Sequence, residues 1–230
     1  MGELTGWTPP PLPPRTAIEG RYARLEPLEP GHAVGLFEAY EGADEVFRWL
    51  PGGPYPTLAA YRGWLEGARL LHDPLHYAVW MADGRLGGTL SLMRITPAAG
   101  TIETGWLTFA PRLQRTREAT EAVFLLMRWS FEAGYRRFEW KCDAANAPSR
   151  RAAQRFGLSY EGVFRQAAVV KGRNRDTAWF AAIDGEWPAL RGAFETWLDP
   201  ANFDAAGRQR QSLAALTGGV LVSRDPALSA

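Results

Sequence analysis

Polar and apolar residues alternate in "YARLEPLEP" (22–30), which predicts a strand, and "GHAVGLFEAYEG" (31–42) follows with Val34, Phe37 and Tyr40 at helical spacing and Gly42 as its stop. A second helix is predicted over "LAAYRGWLEGARLL" (58–71), with Leu58, Tyr61, Leu65 and Ala68 on one face and Thr57 as N-cap. Pro54 and Pro56 keep the aromatic-rich stretch before it, "VFRWLPGGPYPT" (46–57), out of helix. "HYAVWMADGRLGGTLSLMRI" (76–95) reads as two strands joined at Asp83-Gly84, a pair that supplies the positive φ angles of tight hairpin turns. "TPAAGT" then makes a turn and "IETGWLTFAP" (102–111) a further strand.

In "EATEAVFLLMRWSFEAGY" (118–135), Val123, Phe124, Leu126, Met127, Trp129 and Phe131 cover most of a helix circumference, so this helix is expected to be buried on more than one side, with Gly134 just past its end. "RRFEWKCDA" (136–144) has the period of two of a half-buried strand, and "NAPSRRAAQRFG" (146–157) is a short helix capped by Asn146 and stopped by Gly157. "YEGVFRQAAVV" and "DTAWFAAID", linked by the basic turn "KGRNR" (171–175), pair antiparallel, and "EWPALRGAFETWL" (186–198) closes with an amphipathic helix. The order β, α, α, β, β, β, α, β, α, β, β, α predicts an α/β (α+β) fold: a mixed, mainly antiparallel sheet of about seven strands with helices on both faces. One domain spans 18–200, between a proline-rich arm (1–17) and a less patterned tail (201–230) whose docking the pattern does not give.

The junction "PRLQRTREATEAVF" (111–124) runs from a polar, doubly basic segment into the apolar crossover helix, with Glu118 and Glu121 in its first turns. Its start lies at the carboxyl end of the preceding strand, where unpaired amides and the helix dipole favour a bound anion, naturally a phosphate. Arg115 and Arg117 oppose that dipole by a few tenths of a kcal/mol up to about 1 unless an anion is bound.

Composition narrows the setting. With 46% hydrophobic and 22% charged residues the chain is a folded globule, and 26 basic against 25 acidic residues make no electrostatic case for nucleic acid, despite the basic stretches "RRFEWK", "SRRAAQR" and "KGRNR". The single Cys142 excludes an internal disulfide and reads as a buried strand residue; His32, His72 and His76 lack ligand spacing, so no metal is expected. No apolar run approaches the ~20 residues of a membrane span, and the N-terminus lacks signal-peptide order, so a cytoplasmic protein without a membrane partner is expected. Ten tryptophans fit a homodimer interface and a monomer's core equally.

Four segments resemble the GNAT N-acyltransferases, within them the ribosomal-protein N-terminal acetyltransferases of the RimJ and RimL type: "IETGWLTFAP", similar to the family's fourth strand; "QRTREATEA", similar to its pyrophosphate loop; "NAPSRRAAQRFGL", similar to N-x-x-S with a G-F near the helix end; and "YEGVFRQ", similar to E-G-x-x-R. The pyrophosphate loop departs from the family where Arg115, Arg117 and Ala119 replace glycines. The resemblance implies acetyl transfer from acetyl-CoA to a primary amine, on a peptide N-terminus or a small molecule, without a covalent enzyme intermediate. Coenzyme contacts then fall on Leu107, Phe109, Gln114, Arg115, Thr116, Arg117, Glu118, Ala119, Thr120, Asn146 and Ser149. Glu103 is the implied base and Ser149 the hydroxyl near the sulfur; the position of the tyrosine acid of many family members is Ala153. The resemblance puts the acceptor walls at 46–57, where Trp49 and Tyr55 stand with Tyr61 beyond, and at "KGRNRDT". A succinyl-CoA donor and a ligand-binding protein without turnover stay open alternatives.

Overall fold

The computed structural model describes residues 4–228. Its strands are β1 (Ile18–Glu19), β2 (Ala23–Pro27), β3 (Leu75–Met81), β4 (Leu86–Thr96), β5 (Thr101–Phe109), β6 (Arg137–Asp143), β7 (Ser159–Val170) and β8 (Arg173–Ile183). Its helices are α1 (Ala33–Ala39), α2 (Leu58–Ala68), α3 (Arg117–Glu132), α4 (Ala147–Arg155), α5 (Trp187–Leu198) and α6 (Leu213–Thr217). All eight strands join one sheet in the order β1-β2-β3-β4-β5-β6-β8-β7, antiparallel except for the β5–β6 pair that α3 connects.

Alternation decides which helix covers which face. Val79, Leu90, Ile102, Phe138, Trp140 and Phe180 pack with α3, α4 and α5, whereas Ala78 and Leu86 face α1 and α2. The outer side of α3 is covered by α5, with Phe124 stacked on Phe194 and Phe131 on Trp187, both at 5.0 Å; this is why α3 carries apolar residues most of the way round. Of the face expected for α1, Tyr40 is buried and Phe37 packs on the core, but Val34 does not. Ala33, Leu36 and Ala39 are its buried residues while Val34 is exposed, because the small side chains let α1 lie close to Leu86 of β4. In the first hairpin only Gly84 (φ 77) takes a left-handed backbone, and Asp83 instead accepts the Arg85 N–H at 3.0 Å.

Both chain ends are tied to this frame. The arm runs extended across it, with Tyr135 Oη donating to the Pro11 carbonyl at 3.0 Å and Arg15 to the Leu71 carbonyl at 3.0 Å. Beyond α5, Leu213 and Thr217 of α6 are buried, and Asp225 makes a bidentate ion pair with Arg150 of α4 at 2.6 Å. Residues 201–228 therefore pack along α5 and over the outer side of α4.

Candidate active site

The β5–β6 pairing ends at Thr104 opposite Trp140. Beyond it β5 follows β4 as far as Phe109 and β6 follows β8 as far as Asp143, so the two parallel strands part like a fork. A bulge helps to open it. Between Thr89–Thr108 and Ser91–Gly105 the register gives β5 one extra residue, at which Trp106 takes φ 51 and turns its ring against His76, centroids 5.8 Å apart. The backbone of 105–109 has no strand partner on the β6 side, so an extended polar chain can pair there as an added strand.

The start of α3 lies at the same end of the sheet. Thr116 caps α3: its Oγ1 accepts the Ala119 N–H at 3.1 Å and donates to the Leu113 carbonyl at 2.7 Å. Among the described residues the backbone N–H groups of Arg115, Arg117 and Glu118 find no acceptor. Arg115, exposed, takes φ 63 at a position where the resembling family has glycine, so the turn keeps its left-handed form without one. The Arg117 guanidinium turns away to lie over Phe203 and Tyr22, at 4.4 and 5.1 Å, which leaves its N–H for an anion. Gln114 Nε2 donates to the Phe109 carbonyl at 2.8 Å and closes the loop onto β5. Ala119 and Thr120 are buried, and Glu118 is half-buried. Arg155 of α4 donates to Thr120 Oγ1 at 3.2 Å, and burial lowers its pKa; no carboxylate pairs with it among the described residues, so its charge is uncompensated. Glu121 serves the frame: its carboxylate accepts the N–H groups of Arg21, Tyr22 and Ala23 at 2.9, 2.6 and 2.7 Å, and a Cβ on Gly20 would fall 2.5 Å from it.

Glu103 sits one residue before the fork, on the face that α1 and α2 cover at the other end of the sheet, and is only 4% exposed. Its Oε2 lies 2.9 Å from Lys141 Nζ and 3.0 Å from Arg94 Nε. Lys141 also meets Glu139 Oε2 at 2.6 Å and the Trp179 ring at 3.8 Å. Burial pushes the Glu103 carboxyl above the ordinary carboxylate range, opposed by the charge and hydrogen bond of Lys141 and by Arg94. On the opposite face Asn146 caps α4 by accepting the Ser149 N–H at 3.2 Å, and Ser149 Oγ accepts from Trp140 Nε1 at 2.9 Å, which leaves the hydroxyl as a donor with the Cys142 sulfur beside it. Burial pushes the neighbouring Cys142 thiol up to about 11, so it stays protonated at neutral pH.

Aromatic rings gather where the acceptor walls were expected. Tyr55, Tyr61 and Trp64 are mutually packed at 5.3–5.6 Å, and His76 bridges Trp64 to Trp106. Burial lowers His76 to about 4, so it is neutral. Trp49, with Arg48 over its ring at 4.9 Å, and Tyr55 are both half-buried, whereas Tyr61, 1% exposed, lies in the core behind Tyr55. The tip of the β7–β8 hairpin is a two-residue turn, Lys171 and Gly172 with φ 49 and 73, from which Lys171 Nζ reaches the Phe47 carbonyl at 2.8 Å. That bond joins the two expected walls. Leu107 and Phe109 lie half-buried on β5 beyond the fork. A cavity of about 550 Å3, lined by Phe37, Glu38, Tyr40, Asp44, Tyr55 and Tyr61 among others, opens between α1 and α2, on the other side of Tyr55 and Tyr61. Sequence reasoning missed Arg94, Lys141, Arg155 and Trp179. Only the charged side of the alternation in "RRFEWK" pointed to any of them.

Residues 23–159 match the family model described as "Acetyltransferase (GNAT) domain". A GCN5-related N-acetyltransferase from Brucella melitensis is 50% identical with a TM-score of 0.91, covering 94% of this chain and 100% of its own. A probable acetyltransferase of the GNAT family from Chromobacterium violaceum is 43% identical with a TM-score of 0.78, covering 82% and 96%. A Salmonella typhimurium acetyl transferase described as modifying the N-terminal serine of a 50S ribosomal subunit protein shares the fold, with 24% identity, a TM-score of 0.63 and coverage of 73% and 98%. No curated protein matches the chain by sequence.

Proposed function

Because the chain belongs to the GNAT acetyltransferase family, whose members use acetyl-CoA as co-substrate, we propose that it transfers the acetyl group to a primary amine by direct attack at the β5–β6 fork. One observation carries this reading: the pairing that ends at Thr104–Trp140 sets Glu103 at the throat of the fork, while the amides of Arg115, Arg117 and Glu118 wait at the same end of the sheet. The diphosphate is held by those amides and the charge of Arg115, and the pantetheine arm pairs with β5 at 105–109, near Leu107, Phe109 and Asn146.

Glu103 takes the proton that the amine must lose, and its raised pKa makes it a better base than an exposed carboxylate. The amine nitrogen then bonds to the thioester carbon, the carbon–sulfur bond breaks, and Ser149 donates its hydroxyl hydrogen to the departing thiolate, to be reprotonated from solvent. Tyr55 and Trp49 flank the acceptor, and the buried Tyr61 backs Tyr55 at 5.3 Å. A peptide N-terminus of the RimJ and RimL type is one acceptor class that this groove admits, supported by the fold shared with the Salmonella protein.

Free thiol release from acetyl-CoA and succinyl-CoA in the presence of amine acceptors tests the proposal. Wild type should release thiol only with an amine, and Glu103→Gln should lower kcat by about 100-fold while keeping the rise in Tm on adding coenzyme A. That rise is about 2.7 kcal/mol at 100 times Kd, or several degrees. Binding without thiol release would establish a ligand-binding protein instead.

A further inference from the structure

The face that holds Glu103 also carries two donors that nothing among the described residues uses. Ala178, Phe180 and Ala182 of β8 point into the core with α3 and α5, so Arg175, Thr177 and Trp179 stand on the opposite face. Trp179 pairs in register with Lys141, and its ring lies between Lys141 Nζ at 3.8 Å and the Phe164 ring at 4.5 Å. The Trp179 Nε1 and Arg175 Nε atoms are both buried, and neither has a hydrogen-bond partner among the described residues. An unmet buried donor costs about 1–3 kcal/mol, so two on one strand face call for an acceptor from outside.

The carboxylates nearby are engaged by other groups, although Glu103 Oε2 is itself a buried atom whose ion pairs with Lys141 and Arg94 fall short of hydrogen-bond geometry. Glu103 is held by Lys141 and Arg94, Glu139 by Lys141 and by Arg137 at 2.7 Å, and Asp176 accepts the Gln166 N–H at 2.7 Å and Asn174 Nδ2 at 2.9 Å. The hairpin adds Arg165, Lys171 and Arg173; of its two acids Glu161 is paired with Arg137 and Asp176 is engaged as above, and the Lys171 bond to the Phe47 carbonyl holds this basic wall in place. A planar guanidinium with a free N–H in such a wall matches a carboxylate.

We infer that the amine acceptor carries a carboxylate, bound by Arg175, and a second oxygen that accepts from Trp179 Nε1. Four residues of strand separate the two positions by about 13 Å at the backbone, so the acceptor is elongated along β8. The inference rests on the transferase reading and names its substrate class. The carboxylate has two sources, the α-carboxylate of a free amino acid or an acidic side chain next to a peptide N-terminus.

Matched panels separate these sources: free L-amino acids against their α-amides, and C-amidated Ser-Glu against Ser-Gln, each read by thiol release from acetyl-CoA. Wild type should favour the carboxylate member of one panel by roughly tenfold or more in kcat/KM. Arg175→Gln should bring that member down to its neutral counterpart, Arg175→Lys should restore part of the preference, and Trp179→Phe should raise KM with little change in kcat. The Tm shift with coenzyme A, kept in each variant, shows that each is folded. Equal rates within both panels, or a preference that survives Arg175→Gln, would overturn the inference. Should no amine release thiol, the transferase reading fails, and the same panels are read as Tm shifts with coenzyme A present. Stabilisation by the carboxylate members in wild type but not in Arg175→Gln then supports the subsite, and equal shifts reject it.

Discussion

His76 is a buried base that the proposed chemistry leaves unused. Packed between Trp64 and Trp106, it is held neutral, with a folded pKa of about 4 against 6.5 in the unfolded chain. Between those values the unfolded chain binds a proton that the folded one refuses, so stability present above pH 6.5 is lost as pH falls toward 4. The loss amounts to roughly 3 kcal/mol. Tm measured from pH 7 to 4.5 should therefore fall several degrees further for wild type than for His76→Phe, and parallel curves would show that His76 titrates normally. Glu103 shows where a sequence stops informing at this scale. Its place opposite Ile102 was legible from alternation, but its burial and its Lys141 and Arg94 partners were not, because they depend on the register between strands distant in sequence.

At the scale of elements, the start of α3 joins sequence to chemistry. Thr57, Asn146, Gly134 and Gly157 were readable as caps and stops because such signals are local, and the structure uses each of them so. Helix α1 was misaligned at Val34 because its buried face was chosen by the contour of β4, not by its largest side chains. Arg115 carries a testable consequence. Arg115→Gly fits its φ of 63 without strain and removes only the charge, so coenzyme A affinity should fall by about 1 kcal/mol, or some fivefold, as expected for an exposed ion pair. Titration calorimetry at two salt concentrations checks this; unchanged affinity at low salt would leave the anion to the backbone amides alone.

Across the whole molecule, residues 201–228 act as a strap over α4. Their polar composition gave no pattern, because the strap is held by single contacts rather than by a periodic face. The strongest is the pair of Arg150 with Asp225, which is 0% exposed. Asp225→Ala strands a guanidinium and should cost about 3 kcal/mol, lowering Tm by roughly 6–12 °C; the double variant Arg150→Met, Asp225→Leu should recover most of it. Because the strap packs on the helix that begins at Asn146 and carries Ser149, it braces one side of the fork. A crystal structure with bound coenzyme A tests the account most directly. It should place the diphosphate on the amides of Arg115, Arg117 and Glu118 and the pantetheine along 105–109, with the sulfur near Ser149. Coenzyme in the cavity between α1 and α2, or lying across a closed fork, would contradict it.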